Sequence, residues 1–501
     1  MELLPFGKLS PYKTRTLVPV DLALDDWSVI EPFFDELQRR IAACQSVADL
    51  EAWVLEVSEL SAILDEEGSR RYIAMTCHSS NEEAKKGYLD FVENIEPGMK
   101  ERFFRLSKLF VNHPCRNNLP RERYEVLDRD WASYVELFRE ENVPLETEET
   151  KLGQQYQEMM GALTVEFQGE EKTLVQMGIY LQENDRALRQ EAWELVANKR
   201  LEVADQCDDQ FEKLMALREP IAANADFENY REFKHISKGR FDYQPDDCYK
   251  FHEAVEQLVM PVYNGLLEER REKMQLDTLK PWDTGVDPQG RPPLKPFTEV
   301  GDMVARTKNI FNHVDGELAG GFQTMRDQKL LDLANRKGKA PGGYQSSLPE
   351  ARLPFIFMNA VGLQRDVETL LHEAGHAFHS YLMRDVRGYA HGYPMTLAES
   401  ASTFAEMILT EGLLSDPSMD DVHKAQILDM ETGRAAVYLM DIPVRYEFEK
   451  RLHEERINGE VGVGLLKELM TSTQREIFGD LLIPGGEDPL FWASKQHFYI
   501  T

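Results

Sequence analysis

The most informative segment of this chain reads Leu371-His372-Glu373-Ala374-Gly375-His376-Ala377-Phe378-His379. Two histidines four positions apart lie one turn apart on the same face of an α-helix. At that spacing both imidazoles can reach one metal ion, with Glu373 beside them. The segment therefore predicts a metal site carried by a helix.

The residues around this segment have the pattern of a buried helix. Between Gly362 and Gly388 there is no proline, and apolar residues recur at spacings of three and four. We therefore expect a helix stiff enough to hold both histidines in position. An HExxH motif on such a helix is typical of zinc peptidases, in which the glutamate acts as general base.

A third ligand is expected downstream, because catalytic zinc usually takes three protein ligands and leaves one position for water. Residues 397–406 have a helical pattern, and a turn region at residues 388–394 separates them from the first helix. An antiparallel return would bring Glu399 beside His372 and His376. Its neighbours are mostly alanine and serine, so we favour a buried carboxylate with a metal partner over a solvated helix face.

Three further side chains on these helices are candidates for supporting roles. Glu406 lies two turns after Glu399, and Glu368 lies one turn before His372, so each could accept a hydrogen bond from a ligand histidine. His379 continues the face of His376, but one helix does not easily aim three successive turns at one ion. We interpret His379 as a hydrogen-bonding neighbour or a structural histidine.

The composition of the chain excludes several classes of partner. Its 501 residues include 57 Lys and Arg against 88 Asp and Glu, which gives a net charge of −31. Such a surface repels phosphate backbones and anionic membranes, so neither nucleic acid nor lipid is an expected partner. The five cysteines are odd in number and lie outside the metal-site region, which predicts free thiols in a reducing compartment. No leader or membrane-spanning window is apparent, so we expect a cytoplasmic protein.

The length of the chain predicts two or more lobes. Helical patterns dominate from residue 28 to residue 141, and we predict a helical lobe at residues 1–200 and a catalytic lobe at residues 201–501. Residues 163–174 alternate apolar with polar side chains around Gly169, which predicts a short hairpin. Residues 351–358 read as a strand directly before the metal helix. That strand is either an edge strand that binds a peptide backbone by strand addition or an ordinary core strand.

Several segments together resemble one known family. The segments are Phe167-Gln168-Gly169-Glu170-Glu171, Pro281-Trp282-Asp283, Pro341-Gly342-Gly343-Tyr344, Leu353-Pro354-Phe355-Ile356, the stretch from Asp366 to His379, Ala398-Glu399-Ser400-Ala401-Ser402-Thr403-Phe404-Ala405-Glu406 and Ser494-Lys495-Gln496-His497-Phe498-Tyr499. They look like the oligoendopeptidase F branch of the thimet oligopeptidase family, and the likeness covers most of the chain.

This resemblance implies a mainly α, two-lobed zincin metallopeptidase fold with a deep substrate channel and a small β-sheet near the active site. It implies one Zn²⁺ ion per chain held by His372, His376 and Glu399, with Glu373 as the catalytic carboxylate. The implied activity is hydrolysis of internal bonds in short oligopeptides, while folded proteins are excluded. His497 matches a histidine that helps such enzymes to hold the substrate and the developing oxyanion.

The sequence departs from the family at its end. The family continues with a tyrosine-rich stretch and a final helical segment, whereas this sequence stops at Thr501. We therefore expect a catalytic lobe truncated at its C-terminus. Two alternatives stay open: a zinc carboxypeptidase or peptidyl-dipeptidase, which needs a charged pocket for a terminal carboxylate, and a catalytically impaired peptide-binding fragment. The sequence leaves the oligomeric state and the side-chain preference undecided.

Overall fold

The computed structural model describes residues 3–415, 417, 419–479 and 487–500, and most of them are helical. The predicted mainly α fold is confirmed. The helices are α1 (Trp27–Ile41), α2 (Val47–Cys77), α3 (Glu82–Asn94), α4 (Glu96–Val111), α5 (Arg121–Leu137), α6 (Asn142–Gly161), α7 (Leu174–Met177), α8 (Arg186–Leu201), α9 (Ala204–Asn224), α10 (Tyr230–Ser237), α11 (Pro245–Leu258), α12 (Met260–Lys273), α13 (Val300–Val314), α14 (Gly316–Asp327), α15 (Gln364–Leu382), α16 (Met395–Ser415), α17 (Asp421–Arg456) and α18 (Val463–Phe478).

The strands form two small sheets. They are β1 (Thr164–Phe167), β2 (Glu170–Thr173), β3 (Leu331–Ala334), β4 (Tyr344–Leu348) and β5 (Leu353–Ala360). Strands β1 and β2 form the predicted hairpin, in which Phe167 pairs with Glu170. The turn residues Gln168 and Gly169 have φ angles of 54° and 80°. Positive φ at both turn positions matches the right-handed twist of a tight hairpin, so the glycine suits this position.

The second sheet resolves the role of the strand before the metal helix. Its order is β3-β5-β4, with β3 parallel and β4 antiparallel to β5. Strand β5 is therefore the central strand, and both of its edges are occupied. The edge-strand interpretation of residues 351–358 was wrong, because a central strand has no free backbone groups for a peptide. The edge strand next to the metal helix is β4.

Three apolar clusters organise the helices. Helices α1, α2, α4 and α5 enclose a cluster around Trp53 and Phe110. The β3-β5-β4 sheet packs with α13 to α16 around Phe355 and Leu371. A third cluster joins α6 and α9 to α17, α18 and the last residues, including Trp492. This third cluster draws on residues from both predicted lobes, and the division at residue 200 stays a prediction.

Helix α2 is tied to the small sheet by buried contacts. The Tyr344 ring in β4 stacks on Phe357 with ring centroids 4.8 Å apart. Its hydroxyl lies 2.6 Å from Thr76 Oγ1 in α2. At the other end of the strand pair, in the connection between β4 and β5, the Ala351 backbone N–H donates to Glu66 Oε2 of α2 at 2.8 Å. Helix α2 therefore has a defined position opposite β4.

The remaining predictions on the whole chain concern thiols and membranes. All five cysteines are free, as predicted. Among the described residues, no helix combines the length and the apolar character required to cross a membrane.

Candidate metal centre

The start of α15 is held by the side chain of Asp366. Its Oδ2 accepts hydrogen bonds from the backbone N–H groups of Val361, Gly362 and Leu363 at 2.7, 2.8 and 2.9 Å. Such a carboxylate satisfies donors at the helix N-terminus and complements the helix dipole. The helix that carries the HExxH motif therefore begins at a defined point directly after β5.

Gly375, inside the motif, allows α16 to approach α15 closely. A Cβ atom at this position would lie 2.6 Å from Ala401 O and 2.8 Å from Ala405 Cβ. Only glycine fits at that separation. The close approach places Glu399, near the start of α16, against the histidine face of α15.

The structure brings His372, His376 and Glu399 together. Glu399 Oε2 lies 3.2 Å from His372 Nε2 and 3.7 Å from His376 Nε2. One ligand atom from each of the three residues lies within 4.8 Å of the other two. The antiparallel return expected from the sequence produces this arrangement. The expected burial does not hold, because the Glu399 side chain is 46% exposed.

The separations of these three atoms fit a zinc ion. Ligand atoms at about 2.0–2.1 Å from a tetrahedral zinc ion lie about 3.3 Å from each other. The two measured separations of Glu399 Oε2 from the imidazole nitrogens bracket this value. Two imidazoles and one carboxylate are also a common donor set of catalytic zinc sites. The residues present therefore fit the ion that the motif implies.

The charges at the site favour a bound cation. Burial opposes charge on His372, but hydrogen bonds with Glu399 and Glu406 raise the pKa of His372 to about 10. The same contact with His372 lowers the pKa of Glu399 to about 2. Both shifts arise from negative groups gathered around the imidazoles, and a divalent cation there would be stabilised by the same groups.

Glu373 lies on the same helix in a different environment. Its side chain is only 6% exposed. Desolvation, aided by the charge of Glu399, raises the pKa of Glu373 to about 7, although a hydrogen bond with the Gln345 backbone in β4 opposes the shift. A carboxyl group with a pKa near neutrality can both accept and return a proton. The structure therefore places a candidate proton carrier between the histidines and the edge strand.

A second glutamate supports the first ligand. Glu406 Oε1 lies 2.6 Å from His372 Nδ1, on the side of the ring opposite Glu399. This contact directs Nε2 towards the site and orients the ring. Glu406 is buried, and Arg434 of α17 pairs with its other oxygen. Arg434 also pairs with Glu431 at 2.5 Å. Sequence reasoning missed Arg434, because no motif marks it in the long α17 helix.

The two other candidates for supporting roles, Glu368 and His379, lie outside the ligand group. The buried Glu368 approaches Arg434 Nε at 3.9 Å, and no hydrogen bond joins it to a ligand histidine in the described part of the chain. Desolvation, with the nearby charge of Glu431, raises the pKa of Glu368 to about 7. The His379 ring packs on Tyr393 with centroids 4.5 Å apart. Neither residue belongs to the three-residue ligand group.

Among the C-terminal residues, His497 is exposed and Tyr499 is buried. His497 lies in a short 3-10 turn. Desolvation and the cations Arg445 and Lys495 lower its pKa, and the charge of Glu399 acts in the opposite direction. Its role stays a prediction. Tyr499 is buried, stacks on Tyr156 at a centroid distance of 3.9 Å and donates to Cys207 O at 3.2 Å. Tyr499 is thus a core residue.

A cleft lies beside one end of the helix that carries the candidate site. A cavity of about 920 Å³ is lined by residues of α2, by Ser347 and Leu348 of β4 and by Ser380 of α15. On its outer side, β4 has no strand partner among the described residues. The free edge of β4 therefore borders an open space beside the metal helix.

Two family models match this chain. The model of the peptidase M3 N-terminal domain matches residues 20–138, and the model of peptidase family M3 matches residues 179–500. The chain belongs to peptidase family M3. The resemblance to the oligoendopeptidase F branch is confirmed by relatives of that name.

Curated relatives in the oligoendopeptidase F branch match parts of this M3 chain. Plasmid oligoendopeptidase F of Lactococcus lactis subsp. cremoris is 32% identical over 205 residues, which is 40% of this chain and 33% of that protein. Oligopeptidase PepF of Bacillus subtilis strain 168 is 33% identical over 180 residues, 34% of this chain and 26% of that protein. These matches span about a third or less of the relatives' own length.

Solved structures share the fold of this M3 chain over nearly all of its length. Pz peptidase A with an inhibitor has a TM-score of 0.85 at 23% identity, covering 97% of this chain and 85% of that one. Oligoendopeptidase F from Enterococcus faecium has a TM-score of 0.58 at 15% identity, covering 94% of this chain and 84% of that one. At these identities the likeness establishes the fold.

Proposed function

We propose that this M3 protein is a zinc-dependent endopeptidase that hydrolyses internal bonds of short oligopeptides. The observation that carries the proposal is the convergence of two imidazoles and one carboxylate at zinc-ligand separations, beside a buried glutamate. His372, His376 and Glu399 would hold one ion per chain. Oligopeptidase is also the activity named in the curated relatives.

The chemistry follows from the side chains around this site. A zinc ion held by His372, His376 and Glu399 would supply a Lewis acid that polarises water and the peptide carbonyl. Glu373, whose pKa is raised to about 7 mainly by desolvation, accepts a proton from the attacking water and returns it to the leaving amine. Glu406 keeps the His372 ring oriented during this cycle. His497 remains our candidate for holding the substrate and the oxyanion.

The free edge of β4 is the proposed binding site for the substrate backbone. A hydrogen bond joins the Gln345 backbone to Glu373, so the strand lies directly over the proton carrier. A peptide that adds to the outer edge of β4 would run along the cleft with its carbonyl near the ligands. An extended chain can bind in this way, whereas a folded domain cannot enter, which favours oligopeptides.

The proposal is tested with a peptide that is acetylated at its N-terminus and amidated at its C-terminus. We expect cleavage at internal bonds, loss of cleavage after dialysis against a chelator, and recovery when zinc is restored. Mass spectrometry identifies the bonds cut. A protein that contains zinc and folds, yet cuts neither this peptide nor its unblocked form, would be a peptide-binding fragment, and the hydrolase proposal would fail.

The carboxypeptidase or peptidyl-dipeptidase alternative is retained because one cavity is lined by Lys234 and Lys238, which form no ion pair within the described part of the chain and could hold a terminal carboxylate. Such an enzyme would cut the unblocked peptide near its C-terminus and leave the amidated peptide intact. The same pair of peptides therefore separates the two activities. A cytoplasmic location also stays a prediction from the sequence.

A further inference from the structure

A second cavity adjoins the cleft at the far side of Tyr393. It has a volume of about 700 Å³ and is bounded by α5, α6, α10 and residues 392–394. Tyr393 lines this cavity as well as the one beside β4, so the two spaces meet at its side chain. Because Tyr393 also packs on His379 of the metal helix, the second cavity is an extension of the proposed substrate cleft.

The acidic groups that line this cavity already have cationic partners. Glu146 pairs with Lys100 at 2.7 Å, and Asp130 pairs with Arg129 at 3.2 Å. Glu149 pairs with the buried Arg218 at 2.7 Å. These pairs leave two lining cations, Lys234 and Lys238. Neither forms an ion pair with any carboxylate among the described residues.

Burial and neighbouring cations both disfavour the charged form of these two lysines. Desolvation lowers the pKa of Lys234, and the charge of Glu149 does not offset it. Desolvation and the neighbouring cations Lys234 and Arg240 lower the pKa of Lys238. The charge of Glu449 acts in the opposite direction on the pKa of Lys238, but its carboxylate lies beyond ion-pairing distance. A bound anionic group would offset the repulsion that Lys238 experiences from Lys234 and Arg240.

This local positive charge contrasts with the chain as a whole, which carries a net charge of −31. An acidic surface repels anionic peptides at long range, so a cationic cavity in the cleft is the place where such a peptide can be held. The cavity walls also include Tyr134, Phe138 and Phe241, which suit the apolar parts of a peptide.

We propose that Lys234 and Lys238 bind a carboxylate of the peptide substrate, so that a peptide with a carboxylate at this position binds more tightly than one without it. The inference rests on the proposed peptidase function and assigns the substrate class of that site. The carboxylate can come from the C-terminus of the peptide or from an Asp or Glu side chain. Both sources offer the same oxygen acceptors to the two ammonium groups.

The test uses the Glu373→Gln variant loaded with zinc, so that binding is measured without cleavage. Four fluorescent peptides of one sequence are compared by anisotropy: fully blocked, free at the C-terminus, blocked with one Glu, and blocked with Gln at that position. We expect one of the carboxylate forms to bind about tenfold more tightly than its neutral partner. Preference for the free C-terminus identifies a terminal carboxylate site, and preference for Glu over Gln identifies a side-chain site.

Substitution of the lysines then tests the assignment. Lys234→Met with Lys238→Met should reduce the ratio of carboxylate to neutral affinity to near one. Lys250→Met, at a 74% exposed lysine on α11 outside the cavity, should leave the ratio unchanged. Lys238→Glu, at an exposed position, should reverse the preference towards a peptide with Lys at the variable position, a gain that a misfolded protein could not show.

The outcomes separate this inference from the proposed function. Equal affinities of all four peptides for the Glu373→Gln protein, or a ratio unaffected by the double substitution, would overturn the carboxylate site even if the wild-type enzyme cleaves peptides. Conversely, carboxylate selection by the Glu373→Gln protein supports the site even if wild-type protein shows no hydrolysis. In that case only the peptidase proposal would fail.

Discussion

Glu373 and Glu399 show how one residue type takes two roles through its surroundings. Burial beneath β4 raises the pKa of Glu373 to about 7, whereas the hydrogen bond to His372 lowers the pKa of Glu399 to about 2. The first carboxyl group can exchange a proton near neutral pH, and the second stays ionised as a cation ligand. Glu373 lies on α15 and is buried, whereas Glu399 lies on α16 and its side chain is 46% exposed.

A prediction at the residue scale separates these roles. Glu373→Gln should retain zinc and lower the rate of hydrolysis by about 10²–10⁴-fold, because the proton carrier is lost. His372→Ala and Glu399→Ala should lose zinc, because two ligands do not hold the ion well. Metal content by mass spectrometry and peptide cleavage provide the two readouts. Full zinc content in both ligand variants would refute the assigned metal site.

Glu406 gives a second prediction at this scale. Removing its contact with His372 by Glu406→Ala should weaken zinc affinity by about 10- to 100-fold, because the imidazole loses its orientation. Glu411→Ala is a matched control on the same helix, since Glu411 is exposed. Competition with a zinc-binding dye measures both affinities. Equal affinities in the two variants would show that the Glu406 contact has no part in holding the ion.

At the scale of elements, the close packing of α15 against α16 positions the three proposed ligands. Their side chains come from two helices that are separated by residues 383–394. The contact of Gly375 with Ala401 and Ala405 sets the distance between the two helices. A larger side chain there must displace α16, and Glu399 moves with it.

We therefore predict that Gly375→Ala lowers stability by about 1–3 kcal/mol through overpacking and also weakens zinc binding. Gly433→Ala is a suitable control, because no atom lies within 4 Å of the added Cβ. That substitution within α17 should be neutral or stabilise by up to about 1 kcal/mol. Urea unfolding and metal titration measure the two effects. Unchanged zinc affinity in Gly375→Ala would mean that the helix separation does not control the site.

The loop before β4 depends on a buried lysine. Lys339 Nζ, with no exposed side-chain surface, donates to Asp332 O at 2.9 Å and Ala334 O at 3.1 Å, and also contacts Met358 O. Lys339→Met should destabilise the protein by about 3 kcal/mol, because Asp332 loses a cationic partner and several carbonyl groups lose their hydrogen-bond donor. Lys337→Met, at a 58% exposed position, should change stability by less than about 0.5 kcal/mol. Urea unfolding of both variants checks the difference.

At the scale of the whole molecule, α17 joins parts that are distant in sequence. It provides Arg434 near the metal site, Phe448 in the third apolar cluster and His453 next to Tyr230 of α10. Its integrity therefore affects both the site and the packing of the C-terminal residues.

His453 gives a prediction of pH dependence at this scale. It is 7% exposed, and desolvation with the cations Arg218, Arg231 and Arg456 lowers its pKa from 6.5 to about 3. Between these values the unfolded chain binds the proton and the folded chain does not, so stability falls as pH decreases through this window. The expected loss from pH 6.5 to pH 4 is about 3 kcal/mol.

The measurement is the free energy of unfolding across this pH range. The His453→Leu protein should show a pH dependence weaker by that amount, since the titrating group is absent. The same replacement at His423, whose side chain is 54% exposed, should leave the pH dependence close to that of the wild type. A His453→Leu profile parallel to the wild type would contradict the assignment.

The sequence alone was sufficient for the features that depend on local spacing. The helical period around residues 366–382 predicted α15, and the spacing of His372 and His376 placed both imidazoles on one face. Alternation around Gly169 predicted the β1–β2 hairpin. Such patterns depend on neighbours within a few residues, which is why they can be recognised without the fold.

Other features were decided only by the tertiary structure, because they depend on residues far apart in the chain. Strand order made β5 central and β4 the edge, and this pairing has no local signal. Arg434 reaches Glu406 from a different helix. Among the described residues Lys234 and Lys238 have no ion-pair partner, because packing gives the neighbouring acids other cations. The net charge of a cleft depends on which helices pack around it. The sequence alone does not specify that packing.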